Sequence, residues 1–72
     1  MTRQTKIREM KKTARVYYHK LKYVRGSGWI LQTDDLKDRK IDIDRFTPGS
    51  FDRMCLRRIQ KSMRARIERI FS

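Results

Sequence analysis

The chain has 72 residues and carries 20 Lys plus Arg against 8 Asp plus Glu, a formal net charge of +12. That length makes one domain, residues 1–72, and a domain so small buries only roughly 60% of the surface its unfolded chain exposes. One cysteine, Cys55, excludes an internal disulfide and every multi-cysteine zinc cluster.

The first ten residues are charged and lack the apolar run of a signal peptide. Apolar runs such as Trp29-Ile30-Leu31 are far too short to span a bilayer. No membrane is expected as a partner, and a cytoplasmic location, nucleoid- or ribosome-associated, fits the charge. The charge is also polarised. Residues 1–24 carry a net +7, residues 25–49 carry five charges of each sign, and residues 50–72 carry a net +5. Self-repulsion of this size works against compact folding, so it usually answers to a partner. Phosphate backbones reward each Lys or Arg contact by releasing condensed counterions.

In chain order, Ile7–Val24 turned by about 100° per residue gathers Ile7, Met10, Ala14, Tyr17, Tyr18, Leu21 and Val24 on one face. Arg8, Lys11, Lys12, Arg15, His19 and Lys22 fall beside them. Thr5 is a candidate cap, and Arg25-Gly26-Ser27-Gly28 a candidate stop. A continuous helix is the expectation. The alternative is a shorter helix followed by a strand, because Val16-Tyr17-Tyr18 and Tyr23-Val24 are strand formers and Lys20/Lys22 alternate with Leu21/Tyr23.

Trp29–Thr33 and Lys40-Ile41-Asp42-Ile43-Asp44 read as two strands, joined by the polar loop Thr33 to Arg39. Phe51–Phe71 reads as a long amphipathic helix starting at Thr47-Pro48 or Ser50. One stripe collects Phe51, Cys55, Leu56, Ile59, Met63, Ile67, Ile70 and Phe71. The opposite side collects Arg53, Arg57, Arg58, Lys61, Arg64 and Arg69. The predicted fold is therefore α+β: helix, β-hairpin, long C-terminal helix. The alternative is a short helix, a three-stranded antiparallel sheet and a C-terminal helix.

Five aspartates in the middle segment raise the prospect of a Mg²⁺ nuclease. Alternation of Asp42 and Asp44 with isoleucine reads better as the solvent side of a strand. Neither a metal nor a cofactor is expected. His19 alone supports a ribonuclease toxin with a histidine base only weakly. Cys55, within the apolar stripe, reads as a small core residue. Arg25-Gly26-Ser27-Gly28 lacks the Gly-Lys-Ser/Thr ending of a phosphate-binding loop.

The basic helical faces carry the most information. Arg53, Arg57, Lys61 and Arg64 follow one another at spacings of three and four with no acid among them, which destabilises an isolated helix by a few tenths of a kcal/mol per pair. The expected site comprises Arg53, Arg57, Arg58, Lys61 and Arg64, together with Arg8, Lys11, Lys12, Arg15, Lys22 and the stacking candidate Tyr23, with Trp29 second. The expectation is a non-enzymatic nucleic-acid-binding protein of regulatory or architectural kind, DNA slightly ahead of RNA. The rivals are a basic module or inhibitor docking on an acidic protein partner, and a small ribonuclease toxin. A homodimer through the apolar stripe of the C-terminal helix is a further expected partner.

Overall fold

The computed structural model describes residues 2–71. Its elements are α1 (Arg3–Val16), β1 (Lys20–Val24), β2 (Gly28–Gln32), β3 (Arg39–Lys40) and α2 (Pro48–Phe71). This is the α+β fold in its three-stranded form, with antiparallel strand order β1-β2-β3. No helix among the described residues is long and apolar enough to cross a membrane.

α1 begins earlier than its periodicity suggests. Thr2 is the N-cap, its hydroxyl accepting from the Thr5 amide at 3.2 Å. The helix also ends earlier, so the continuous helix to Val24 does not form. Tyr18 adopts φ +64°, the His19 amide donates to the Ala14 carbonyl at 2.8 Å, and the Tyr18 amide donates to Arg15 at 3.1 Å. That pair of bonds is a Schellman cap, with tyrosine where glycine is usual. Chain reversal at Tyr18 frees Lys20–Val24 to form a strand.

β1 pairs with β2 from Lys20↔Gln32 to Val24↔Gly28, which makes Arg25-Gly26-Ser27 the hairpin turn and not a helix stop. Gly26 at φ +86° supplies the left-handed residue of that turn, and the Ser27 amide closes it on the Val24 carbonyl at 3.0 Å. The third strand is only two residues long, pairing Ile30↔Lys40 and Leu31↔Arg39, rather than the five of Lys40–Asp44. Beyond it, Ile41 and Ile43 are buried and Asp42 and Asp44 exposed, so the predicted alternation holds without a ladder.

α2 starts at Pro48 behind a reciprocal cap. The Ser50 amide donates to the Thr47 hydroxyl at 3.1 Å, and the Thr47 amide donates to the Ser50 hydroxyl at 2.9 Å. The core is built from Met10 and Ala14 of α1, Leu21 and Leu31 facing each other across β1 and β2, Ile41, Ile43, and Phe51 and Cys55 of α2. Phe46 meets Phe51 edge to face at 5.8 Å.

The single apolar stripe expected on α2 is divided. Phe51 and Cys55 enter the core, whereas Leu56, Met63, Ile67, Ile70 and Phe71 stay exposed. Length explains the split: 24 helical residues run about 36 Å, while a five-residue strand covers about 17 Å. Denaturant unfolding should register the division. Phe51→Ala is expected to cost about 3–5 kcal/mol, and Met63→Ala to stay within about 0.5 kcal/mol of the parent protein.

Candidate nucleic-acid interface

The reversal at Tyr18 brings β1 alongside α1 and creates a groove between them. Lys11 and Arg15 come from α1, Lys20, Lys22 and Tyr23 from β1, and Trp29 from β2, around a space of ≈ 330 Å³. The Lys11 ammonium lies 5.3 Å from the centre of the Trp29 ring, a cation–π distance. Tyr23 meets Trp29 edge to face at 5.6 Å and keeps 63% of its surface exposed. None of the four cations ion-pairs with a carboxylate among the described residues.

A second basic groove, ≈ 400 Å³, lies between β3 and α2, where Arg39, Arg53 and Arg57 border Phe46 and Met54. It is built on β3 and the first on β1, so the two sit at opposite edges of the sheet. Lys61 and Arg64 continue the outer face of α2, exposed and without an ion pair among the described residues. Arg8 is exposed on α1, and Lys12 is paired with Glu9 at 3.9 Å.

Arg58 is placed differently from its neighbours. Its Nε donates to the Thr33 hydroxyl at 2.6 Å, and its Nη2 donates to the carbonyls of Leu31 and Lys37. Burial, followed by nearby Arg39, holds its pKa below the usual arginine value. The guanidinium fastens α2 to the loop between β2 and β3. Arg66 and Arg69 fasten the same loop through the carboxylate of Asp35, which is only 9% exposed. Asp35 itself sits at φ +66°. The Ser62 hydroxyl adds a bond to the Asp34 carbonyl at 2.7 Å.

His19 is buried, not on a lysine-rich surface. Its Nε2 lies 2.9 Å from the Cys55 carbonyl, which can only accept, so Nε2 carries the proton. Nδ1 therefore accepts from the Thr33 hydroxyl at 2.9 Å, and that hydroxyl accepts from Arg58. A proton added at Nδ1 would confront Thr33 and the charge of Arg58. Burial first, and then Arg58, lower the His19 pKa, against the pull of the Cys55 carbonyl. Burial pushes the Cys55 thiol up to about 12, leaving it unreactive.

The aspartates divide among structural tasks: Asp35 on α2, Asp42 with Arg45 at 3.6 Å, and Asp44 with Arg3 at 3.3 Å. Among the described residues no three His, Cys, Asp or Glu side chains gather into a metal cluster. Sequence periodicity selected Lys11, Arg15, Lys22 and Tyr23 but not Lys20, whose alternation with Lys22 has meaning only on a strand. Arg39 and Phe46 carried no periodic signal at all. Comparison of the chain with family profiles, curated proteins and solved structures finds no match.

The relay has a pH signature. With its folded pKa below the unfolded value of about 6.5, His19 contributes stability that is fully present above pH 6.5 and lost as pH falls through the folded pKa. As the chain's one histidine, it dominates this window. Chemical-denaturation midpoints should fall below pH 6.5, and His19→Gln should flatten the profile between pH 5 and 7.

Proposed function

We propose that this protein binds nucleic acid, holding phosphates in the α1–β1 groove and stacking an unpaired base on Tyr23. One observation carries the reading: four cations without a carboxylate partner among the described residues and two aromatic rings converge on a single groove. Cations alone would suit any polyanion. An exposed tyrosine beside them favours a strand whose bases are accessible, since every base has a face to stack. Lys11 and Lys22 attract phosphate as flexible point charges, whereas Arg15 can form a planar two-pronged contact.

The Arg39, Arg53 and Arg57 groove offers a second phosphate track at the other edge of the sheet, with Lys61 and Arg64 extending it. Two tracks on one small body suit an architectural factor that holds two stretches of one polymer. The duplex-DNA reading rests on this α2 face, and the single-strand reading on the α1–β1 groove. Arg58 takes no part in either, because its donors are already engaged inside the fold.

A mobility-shift competition among duplex DNA, single-stranded DNA and RNA at two salt concentrations tests the proposal. Four groove cations on a single strand correspond to a slope of about −3 in log affinity against log salt. Lys11→Glu with Lys22→Glu should weaken binding across all sequences and flatten that slope. Tyr23→Ala should cost about 1–3 kcal/mol on single strands and change duplex binding little. Affinity indifferent to salt would remove the basis of the reading.

A further inference from the structure

α2 has three faces, and the groove reading accounts for one. Phe51, Cys55 and Ser62 are buried, and Arg53, Arg57, Lys61 and Arg64 form the basic outer face. Between these lies the exposed half of the apolar stripe: Leu56 at 44%, Met63 at 57%, Ile67 at 53% and Ile70 at 69% exposure. With exposed Gln60 they follow one another at spacings of four, three, four and three. That is the alternation of a two-helix seam, in which each side chain enters a gap on a facing helix.

The seam from Leu56 to Ile70 runs about 21 Å, or four helical turns. Its margin on the outer side is Arg57 and Arg64, each one residue beyond a seam position, and neither ion-pairs with a carboxylate among the described residues. Ile59 and Arg66 border the other side. In a coiled coil these marginal positions choose the partner by charge.

We infer that the exposed seam of α2, Leu56, Met63, Ile67 and Ile70 bordered by Arg57 and Arg64, docks an amphipathic helix of a partner protein whose apolar stripe is flanked by acidic side chains.

Charge decides between that occupant and a second copy of this chain. In an antiparallel self-pair, Arg57 and Arg64 face their own equivalents. In a parallel self-pair Arg57 faces Asp52 and Arg64 faces Ile59. The antiparallel pair offers them no acid, the parallel pair leaves Arg64 without one, and each copy brings a net charge of +12. An acidic helix instead satisfies both arginines while covering the apolar row. The seam shares no residue with the α1–β1 groove, whereas its margin arginines, Arg57 and Arg64, also belong to the second phosphate track proposed above.

The probe is a fluorescent synthetic peptide of three heptads, with leucine at the seam positions and glutamate at the margins, titrated into the full chain. A scrambled peptide of the same composition and a lysine-margined version are the controls. Saturable one-to-one binding is expected, about tenfold or more weaker for the scrambled peptide and undetectable for the lysine version. Met63→Ser with Ile67→Ser alters only exposed side chains, so circular dichroism should be unchanged while affinity falls about tenfold. Arg57→Gln with Arg64→Gln should reduce the preference for the glutamate margins.

Equal binding of the scrambled peptide, equal binding by the Met63→Ser/Ile67→Ser variant, or no binding of the acidic peptide would each overturn the inference. So would sedimentation of the chain alone as a dimer that this double variant dissociates, which would assign the seam to a second copy. Loss of nucleic-acid binding in the Lys11→Glu/Lys22→Glu variant with peptide binding intact separates the two readings.

Discussion

The Thr33 hydroxyl sits between two charged or chargeable neighbours, accepting from Arg58 and donating to His19, whose other ring nitrogen holds the Cys55 carbonyl. Through these bonds the α1–β1 joint, the end of β2 and the middle of α2 become one rigid junction. Buried hydrogen bonds of this kind count heavily where, among the described residues, only eight core side chains are buried. His19, held in this junction, follows directly on the left-handed Tyr18. Were α1 to continue through Val24, Lys20, Lys22 and Tyr23 would not face Lys11 and Arg15, and the basic groove would not exist.

The chain's few acids are disposed with the same economy. Asp35 gathers Arg66 and Arg69 where the loop between β2 and β3 meets α2, and Arg58 satisfies itself on carbonyl oxygens. Arg53, Arg57, Lys61 and Arg64 have no ion pair among the described residues. Repulsion among Arg53, Arg57, Lys61 and Arg64 thus remains uncompensated at one surface. A face that costs stability in isolation gains it back on meeting opposite charge.

α2 is longer than the body it packs against, and its surplus length is what gives it a third face. The seam shares its margin with the second basic groove, because Arg57 borders both. Under the proposed function, an acidic helix seated on the seam would compete with phosphate for Arg57, while the α1–β1 groove, at the opposite edge of the sheet, would keep its field. Two surfaces on one helix can therefore be coupled by charge without any change of shape.

Composition, charge order and periodicity were enough to read an α+β domain, a long C-terminal helix and the basic residues of α1 and α2. Those properties are local: a 3.6-residue period and a Thr-Pro start are written in adjacent residues. The division of the α2 stripe was not legible, because a helix shows which residues share a face but not how far its partner extends. The early end of α1 was legible only as the alternative of a shorter helix followed by a strand, and its place at Val16 was not, because Tyr18 takes a conformation usual for glycine. Arg58 and Arg57 are adjacent and identical in type; only the nearby Thr33 hydroxyl and the Leu31 and Lys37 carbonyls, supplied by distant parts of the chain, make one structural and leave the other free. The sequence by itself determined the fold class, the long C-terminal helix and the sign of the surface. The tertiary structure decided which cations remain unpaired and where they converge, since both depend on contacts between residues far apart in the chain.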